Sequence, residues 1–147
     1  MARREIRVKV GGLSDAIRKE LERFNSDVNA IVNQSAENAA RSAASELRKT
    51  SPTRSGGRRG YARGWTWMRA GETPLGTKMF VVHNRSKPGL THLLEKGHAI
   101  AYRLKGKSKV ETGERTRAFP HIEPASEKAA EQFEKEVLDG LDNRANR

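Results

Sequence analysis

The sequence predicts an α+β fold, in which a long N-terminal helix and a C-terminal helix pack on a small, mostly antiparallel sheet. Three observations support this class. Apolar side chains recur at helical spacing from about residue 14 to residue 49, a second helical pattern follows Pro124, and short alternating stretches lie between them. At 147 residues without cysteine, the chain has the length of one domain and offers no disulfide framework. We therefore predict a single domain spanning residues 1–147.

The N-terminal third is predicted to contain a short strand followed by the long helix. Residues 5–10 alternate apolar and charged side chains, and Ser14 or Asp15 can cap the helix that follows. The stretch 25–27, Asn-Ser-Asp, is a candidate site for a kink or a break. The second half of the helix is rich in alanine, which favours close packing against another helix or strand, including one from a neighbouring subunit.

The middle of the chain is predicted to hold strands separated by basic loops. Residues 65–69 and 77–83 form a predicted hairpin that places the tryptophans in the sheet core, and residues 99–104 form a further strand. We expect mobile basic loops near residues 51–62 and 105–117; the alternative for the first is a plain connector. The C-terminal helix is expected to end in a frayed terminus.

The net charge of +11 is concentrated in the central segment. Residues 51–117 carry 15 basic and 4 acidic side chains, whereas residues 118–147 carry a net charge of −3. A positive field of this kind attracts nucleic acid or an acidic protein surface; the alternative is a solvated lysine-rich surface without a partner. Aromatic residues are only 5% of the chain, which argues against base-specific recognition.

The phrase HLLEKGH brings two histidines and a glutamate close together, as some metal-dependent hydrolases do. His92 and His98 are six residues apart, however, whereas helical metal ligation prefers a spacing of four on one face, and Glu95 lies between them. A zinc site would require His83 and His121 to converge on the same point. We therefore predict no metal, no cofactor and no catalytic residue.

Three short motifs follow one another in an informative order. They are Ser-Pro-x-x-Ser-Gly at residues 51–56, Leu-Glu-x-Gly at residues 94–97 and Pro-His-Ile-x-Pro-Ala at residues 120–125. This order resembles the gp-ten-like tail-component or neck family named after the phage HK-ninety-seven, and it is similar to the Z-type tail-completion proteins, over about residues 14–140. The chain departs from the family pattern at Lys96 and His98. The motif residues are Leu94, Glu95, Gly97, Pro120, His121, Pro124 and Ala125.

The resemblance implies a structural virion protein at the head–tail junction of a long-tailed double-stranded DNA phage or prophage, assembled in the host cytoplasm. As a neck or tail-completion protein it would form a cyclic ring with itself and contact portal, adaptor or head-closure proteins, tail-tube or tail-terminator proteins, and packaged DNA, but no membrane. Glu95 would bond to an adjoining loop or subunit. An alternative function is a sequence-nonspecific nucleic-acid-binding accessory protein. The candidate contacts with DNA or a partner are Arg54, Arg58, Arg59, Arg63, Lys105, Lys107, Lys109, Arg115 and Arg117.

Overall fold

Among the described elements, long helices come first and last and the strands lie between them, which confirms the predicted α+β class. The computed structural model describes residues 12–53, 60–103 and 109–146; the strand expected at residues 5–10 lies outside these ranges. In chain order the elements are α1 (Leu13–Thr50), α2 (Gly60–Arg63), β1 (Trp65–Glu72), β2 (Lys78–Asn84), a 3-10 turn (Pro88–Leu90), α3 (Thr91–Lys96), β3 (Ala99–Arg103), β4 (Lys109–Arg115) and α4 (Ile122–Ala145).

Helix α1 is continuous over 38 residues, which corresponds to a length of about 57 Å at 1.5 Å per residue. It begins at Leu13, so the caps predicted at residues 14 and 15 are wrong, and it continues through residues 25–27, so the break considered there does not occur. Side chains of α4 support this stretch. Arg144 donates to Asp27 at 3.1 Å, and its guanidinium lies 4.5 Å from the centre of the Phe24 ring.

The alanine-rich half of α1 is buried within the chain itself. Ala39, Ala40, Ala43 and Ala44 are all buried, and α4 and the first hairpin are the elements packed against α1. Small side chains allow helices and strands to approach closely. The sequence left open that a neighbouring subunit packs on these alanines. That expectation is corrected, because α4 and the first hairpin of the same chain bury them.

The strands form two separate two-stranded antiparallel sheets instead of one small sheet. In the first, Trp65 pairs with Asn84 and Met68 with Val81, as the predicted hairpin requires, with a bulge near Gly71. In the second, β3 pairs with β4. Residues 109–115 were expected to belong to a loop, and that expectation is wrong, because this segment forms a strand that pairs with β3.

The core is small and lies where α1, the first hairpin and α4 meet. Leu47, Tyr61, Trp65 and Ala125 form its buried cluster, and four half-buried side chains pack against it: Val82, Leu90, Leu94 and Ile122. The prediction of a mobile loop at residues 51–62 is wrong at both ends of this range, because Ser51, Tyr61 and Ala62 are buried. Within the described ranges, no helix has the length and hydropathy required to cross a membrane.

Candidate functional site

Glu95, at the end of α3, holds the first turn of α4. The backbone N–H groups of His121 and Ile122 donate to its Oε2 atom at 2.9 and 3.0 Å, and that of Glu123 donates to Oε1 at 3.0 Å. The first N–H groups of any helix have no acceptor within the helix, and the helix dipole favours a negative charge beside them. A carboxylate from a distant residue therefore performs the role that a capping side chain usually has.

The electrostatics of Glu95 agree with this geometry. Desolvation by burial is the largest single influence and acts to raise its pKa. The three backbone hydrogen bonds and the attraction to His121 act in the opposite direction and prevail, so that the pKa of Glu95 lies below its ordinary value. The folded state therefore favours the ionised carboxylate.

His121 connects Glu95 to the core through both nitrogens of its buried ring. The Nδ1 atom lies 2.6 Å from the carbonyl oxygen of Phe119 and 3.0 Å from Glu95 Oε2, and Nε2 lies 2.7 Å from the hydroxyl of Tyr61. Because both neighbours of Nδ1 are acceptors, Nδ1 must carry a proton, and in the neutral ring Nε2 then accepts from Tyr61. The ring also contacts Tyr61 and Trp65 edge to face. We call Glu95, His121 and Tyr61 the Glu95 clamp.

Tyr61, His121 and Glu95 are bonded in the order of nucleophile, base and carboxylate that catalytic triads use. The environment of these three residues, however, suits a structural role. A nucleophile is activated when its pKa is lowered and it faces a substrate. Here desolvation, followed by the nearby charge of Glu95, raises the pKa of Tyr61 to about 12. The Tyr61 side chain is also only 6% exposed and His121 only 3%. Fully satisfied buried hydrogen bonds of this kind rigidify the fold.

The remaining motif residues surround the Glu95 clamp. The carbonyl of Leu94 accepts from the N–H of Phe119 at 2.8 Å. Gly97 has φ 67°, and a Cβ atom there would lie 2.4 Å from the carbonyl oxygen of Thr116, so glycine is required for this close approach. Ala125 is buried in the core cluster.

The two prolines of the last motif and the phenylalanine that precedes it are exposed. Pro120 is exposed, and Pro124 is exposed in the first turn of α4, where its missing N–H has no cost. The side chain of Phe119 is 43% exposed, so it does not anchor this segment in the core. Ile122 packs against the core cluster.

The candidate basic contacts are only partly within the described structure. Arg54, Arg58, Arg59, Lys105 and Lys107 lie outside the described residues. Arg63 is exposed at the end of α2, and Lys109 begins β4. Arg115 donates to the carbonyl of Gly97 at 3.3 Å, and Arg117 lies over the Phe119 ring. Two of the predicted contacts therefore lie beside the Glu95 clamp.

The histidines occupy separate environments. His92 is exposed on α3, whereas Nδ1 of His98 lies 3.0 Å from the hydroxyl of Thr116. In the part of the chain that the structure describes, no three His, Asp or Glu side chains come together in an arrangement that could hold a metal ion.

Reasoning from sequence missed three residues that stabilise the site. Asn84 is almost fully buried, donates to the carbonyl of Tyr61 at 2.7 Å and accepts from two N–H groups in the following turn. Ser51 accepts from Nε1 of Trp65 at 2.7 Å. Tyr61 was placed in a mobile loop. The sequence did contain one indication that Tyr61 is buried, since it is a single aromatic residue directly after a Gly- and Arg-rich run.

The fold and the Glu95 clamp define a small α+β protein in which a buried polar network joins the start of α4 to the core. Comparison with known families identifies which one. The family model described as "Bacteriophage HK97-gp10, putative tail-component" matches residues 15–97, which is more than half of the chain. The chain therefore belongs to the HK97-gp10-like family of phage tail components. The match covers α1 to α3 and includes Glu95, whereas β3, β4 and α4 follow it. Comparisons with curated proteins and with solved structures gave no match.

Proposed function

We propose that this protein is a structural virion component at the head–tail junction of a long-tailed phage or prophage, where it joins the DNA-filled head to the tail as part of a ring. The observation that carries the proposal is the family match over residues 15–97, which places the chain among phage tail components. The Glu95 clamp supports it, since buried polar bonds stabilise a fixed shape, and a fixed shape suits a part of an assembly.

The charge distribution also supports assembly with other proteins. Helix α4 carries seven acidic and three basic side chains, whereas the central segment is strongly basic. Opposite charges on two surfaces of one chain can guide neighbouring subunits into register and increase the rate of encounter. The same separation provides an acidic and a basic surface for different neighbours in the junction.

The second candidate is a nucleic-acid-binding accessory protein, which the net charge of +11 favours. Contacts of this kind are electrostatic and independent of sequence. In the proposed ring, the basic residues could also face packaged DNA in the channel. Loss of the protein should prevent the joining of heads to tails if it acts at the junction, and should prevent the filling of heads with DNA if it is a nucleic-acid-binding accessory protein.

Deletion of the gene from the phage or prophage that encodes it tests the proposal. We expect DNA-filled heads and separate tails, or tails of defective completion, in electron micrographs, and a large loss of infectious particles. Expression of the protein from a plasmid should restore joining. Normal yields of infectious particles would contradict the proposal, and heads without DNA would favour the accessory function instead.

A further inference from the structure

Two turns of the chain meet where α2 leads into β1 and where β2 ends. The N–H of Arg85 donates to the carbonyl of Gly64 at 2.8 Å. A Cβ atom on Gly64 would lie 2.7 Å from the side chain of Ser86, so the turns can approach this closely only because the residue is glycine. Arg63, which directly precedes Gly64, and Arg85 are therefore neighbours in space, although they are distant in the sequence.

Buried Asn84 fixes the second of these turns. Its side chain donates to the carbonyl of Tyr61 at 2.7 Å and accepts from the N–H groups of Ser86 and Lys87 at 3.1 and 2.9 Å. It is only 1% exposed, and fully satisfied buried hydrogen bonds of this kind rigidify the structure around them. The side chains of Arg85 and Lys87 are exposed. The fold thus presents basic side chains to solvent on a fixed backbone.

A further arginine comes from the last turn of α1. The Nε atom of Arg48 donates to the carbonyl of Trp65 at 2.8 Å, and Trp65 directly follows Gly64, where the two turns meet. We call four exposed residues around this point the basic patch: Arg48, Arg63, Arg85 and Lys87.

The charges of the basic patch are not neutralised by the chain itself. In the part of the chain that the structure describes, none of its four side chains forms an ion pair with a carboxylate. The only acidic residue between positions 47 and 94 is Glu72, which pairs with Arg69. The glutamates on either side of this range are also engaged, since Glu46 is bonded to a lysine of α4 and Glu95 holds the first turn of α4. The positive charge is therefore available to an external anion.

The surroundings of the basic patch are polar or small. Ser86, Pro88 and Gly89 are exposed beside it, whereas exposed large apolar side chains such as Met68 and Met79 lie farther along the first hairpin. The centre of a protein–protein interface is usually apolar and poor in charged residues. Surfaces that bind DNA are polar and strongly positive, and their Arg, Lys and Ser side chains contact phosphate oxygens. These features favour a phosphate backbone over an acidic protein as the partner.

We propose that the basic patch binds the phosphate backbone of double-stranded DNA without regard to sequence. The inference rests on the proposed function for the identity of this DNA, the genome that the head holds, and adds the surface that contacts it. Of the four residues, only Arg63 was among the basic contacts predicted from the sequence. The other three could not be singled out there, because the turns that bring them together are distant along the chain.

The salt dependence of DNA binding by the purified full chain tests the proposal. Fluorescence anisotropy would follow a labelled duplex of arbitrary sequence over a series of salt concentrations. The logarithm of the binding constant falls with the logarithm of the salt concentration, by a slope of about 0.9 for each phosphate that is neutralised. The test variant is Arg63→Gln/Arg85→Gln. Its control is Arg18→Gln/Arg23→Gln, which removes the same charge from exposed arginines of α1 that already pair with carboxylates of the same helix.

We expect the test variant to reduce the size of the slope by about 1.8 and to weaken binding roughly fiftyfold at about 0.1 M salt, for every duplex alike. The control should change the affinity by less than about twofold, because distant exposed charges are screened. All four arginines are exposed, so circular dichroism should show an unchanged fold. If the test variant nevertheless fails to fold, Lys87→Gln alone should reduce the slope by about 0.9.

Three results would overturn the proposal: no binding of the duplex by the wild-type protein, an unchanged slope in the test variant, or equal losses in the test variant and the control. A fourth would replace the partner. If phage that carries the test variant fails to join heads to tails, while the variant protein binds DNA as the wild type does, the basic patch contacts an acidic protein surface instead of DNA.

The outcomes also separate this inference from the proposed function. If the slope is unchanged while deletion of the gene still prevents joining, the junction role stands and the basic patch does not bind DNA. If the test variant loses DNA binding while deletion leaves infectious particles, the surface is correct and the junction role is wrong.

Discussion

Replacement of Trp65 by alanine is expected to lower the free energy of unfolding by about 4 kcal/mol, as for other buried tryptophans. The indole is only 3% exposed and packs against Leu47, Tyr61 and Ala125. The substitution would leave a cavity in a small core and would remove the hydrogen bond to Ser51. Because small domains are stable by only about 5–15 kcal/mol, this loss would unfold a large fraction of the protein under mild denaturation.

Urea unfolding followed by circular dichroism measures this effect. The matched control is Trp67→Ala, two residues along the same strand, where the half-buried ring lies at the edge of the core against Phe80. We expect the control to cost about half as much. Equal losses for the two variants would contradict the core described here, whereas a Trp65→Ala protein that fails to fold would agree with it.

Replacement of Glu95 by alanine is expected to cost about 3 kcal/mol. Three backbone N–H groups at the start of α4 would lose a charged acceptor, and hydrogen bonds to charged groups contribute about 1.5–3 kcal/mol each when measured singly. Buried His121 would also lose an ionised partner. The control, Glu131→Ala, changes an exposed glutamate of α4 and should alter stability by less than about 0.5 kcal/mol.

The contribution of Glu95 should depend on pH. Its pKa in the folded protein lies below the ordinary value of 4.5, because the hydrogen bonds of the α4 N-terminus favour the carboxylate. The stabilisation is therefore complete above the ordinary value and is lost as the pH falls through the folded pKa. The difference in unfolding free energy between wild type and Glu95→Gln should shrink as the pH is lowered below 4.5. A difference that stays constant with pH would contradict the charged cap.

Features with a local cause could be predicted from the sequence. The long helix α1 follows from apolar spacing sustained over many turns, and the first hairpin follows from alternation on both sides of a turn. The resemblance in motif order also identified the family, which the match over residues 15–97 confirms. The concentration of positive charge in residues 51–117 follows directly from the residue types in the sequence.

Features that depend on distant partners could not be predicted in the same way. Tyr61 and His121 are separated by 60 residues and Glu95 and His121 by 26, so no local pattern reports their hydrogen bonds. Strand β4 forms because it pairs with β3, although its composition is typical of a loop. The sequence predicted that the alanines of α1 are closely packed, but it left open whether the same chain or a neighbouring subunit covers them. The packing of α4 and the first hairpin decides this, and it leaves the N-terminal part of α1 exposed.

Labelling of purified virions tests the central claim most directly. A short affinity tag after the last residue of α4, which is exposed, would be bound by gold particles and located by electron microscopy. The tagged phage must first be shown to remain infectious. We expect the gold to lie at the junction between head and tail in most particles. Gold along the tail or at its distal tip, or virions that contain none of the protein, would contradict the head–tail junction role.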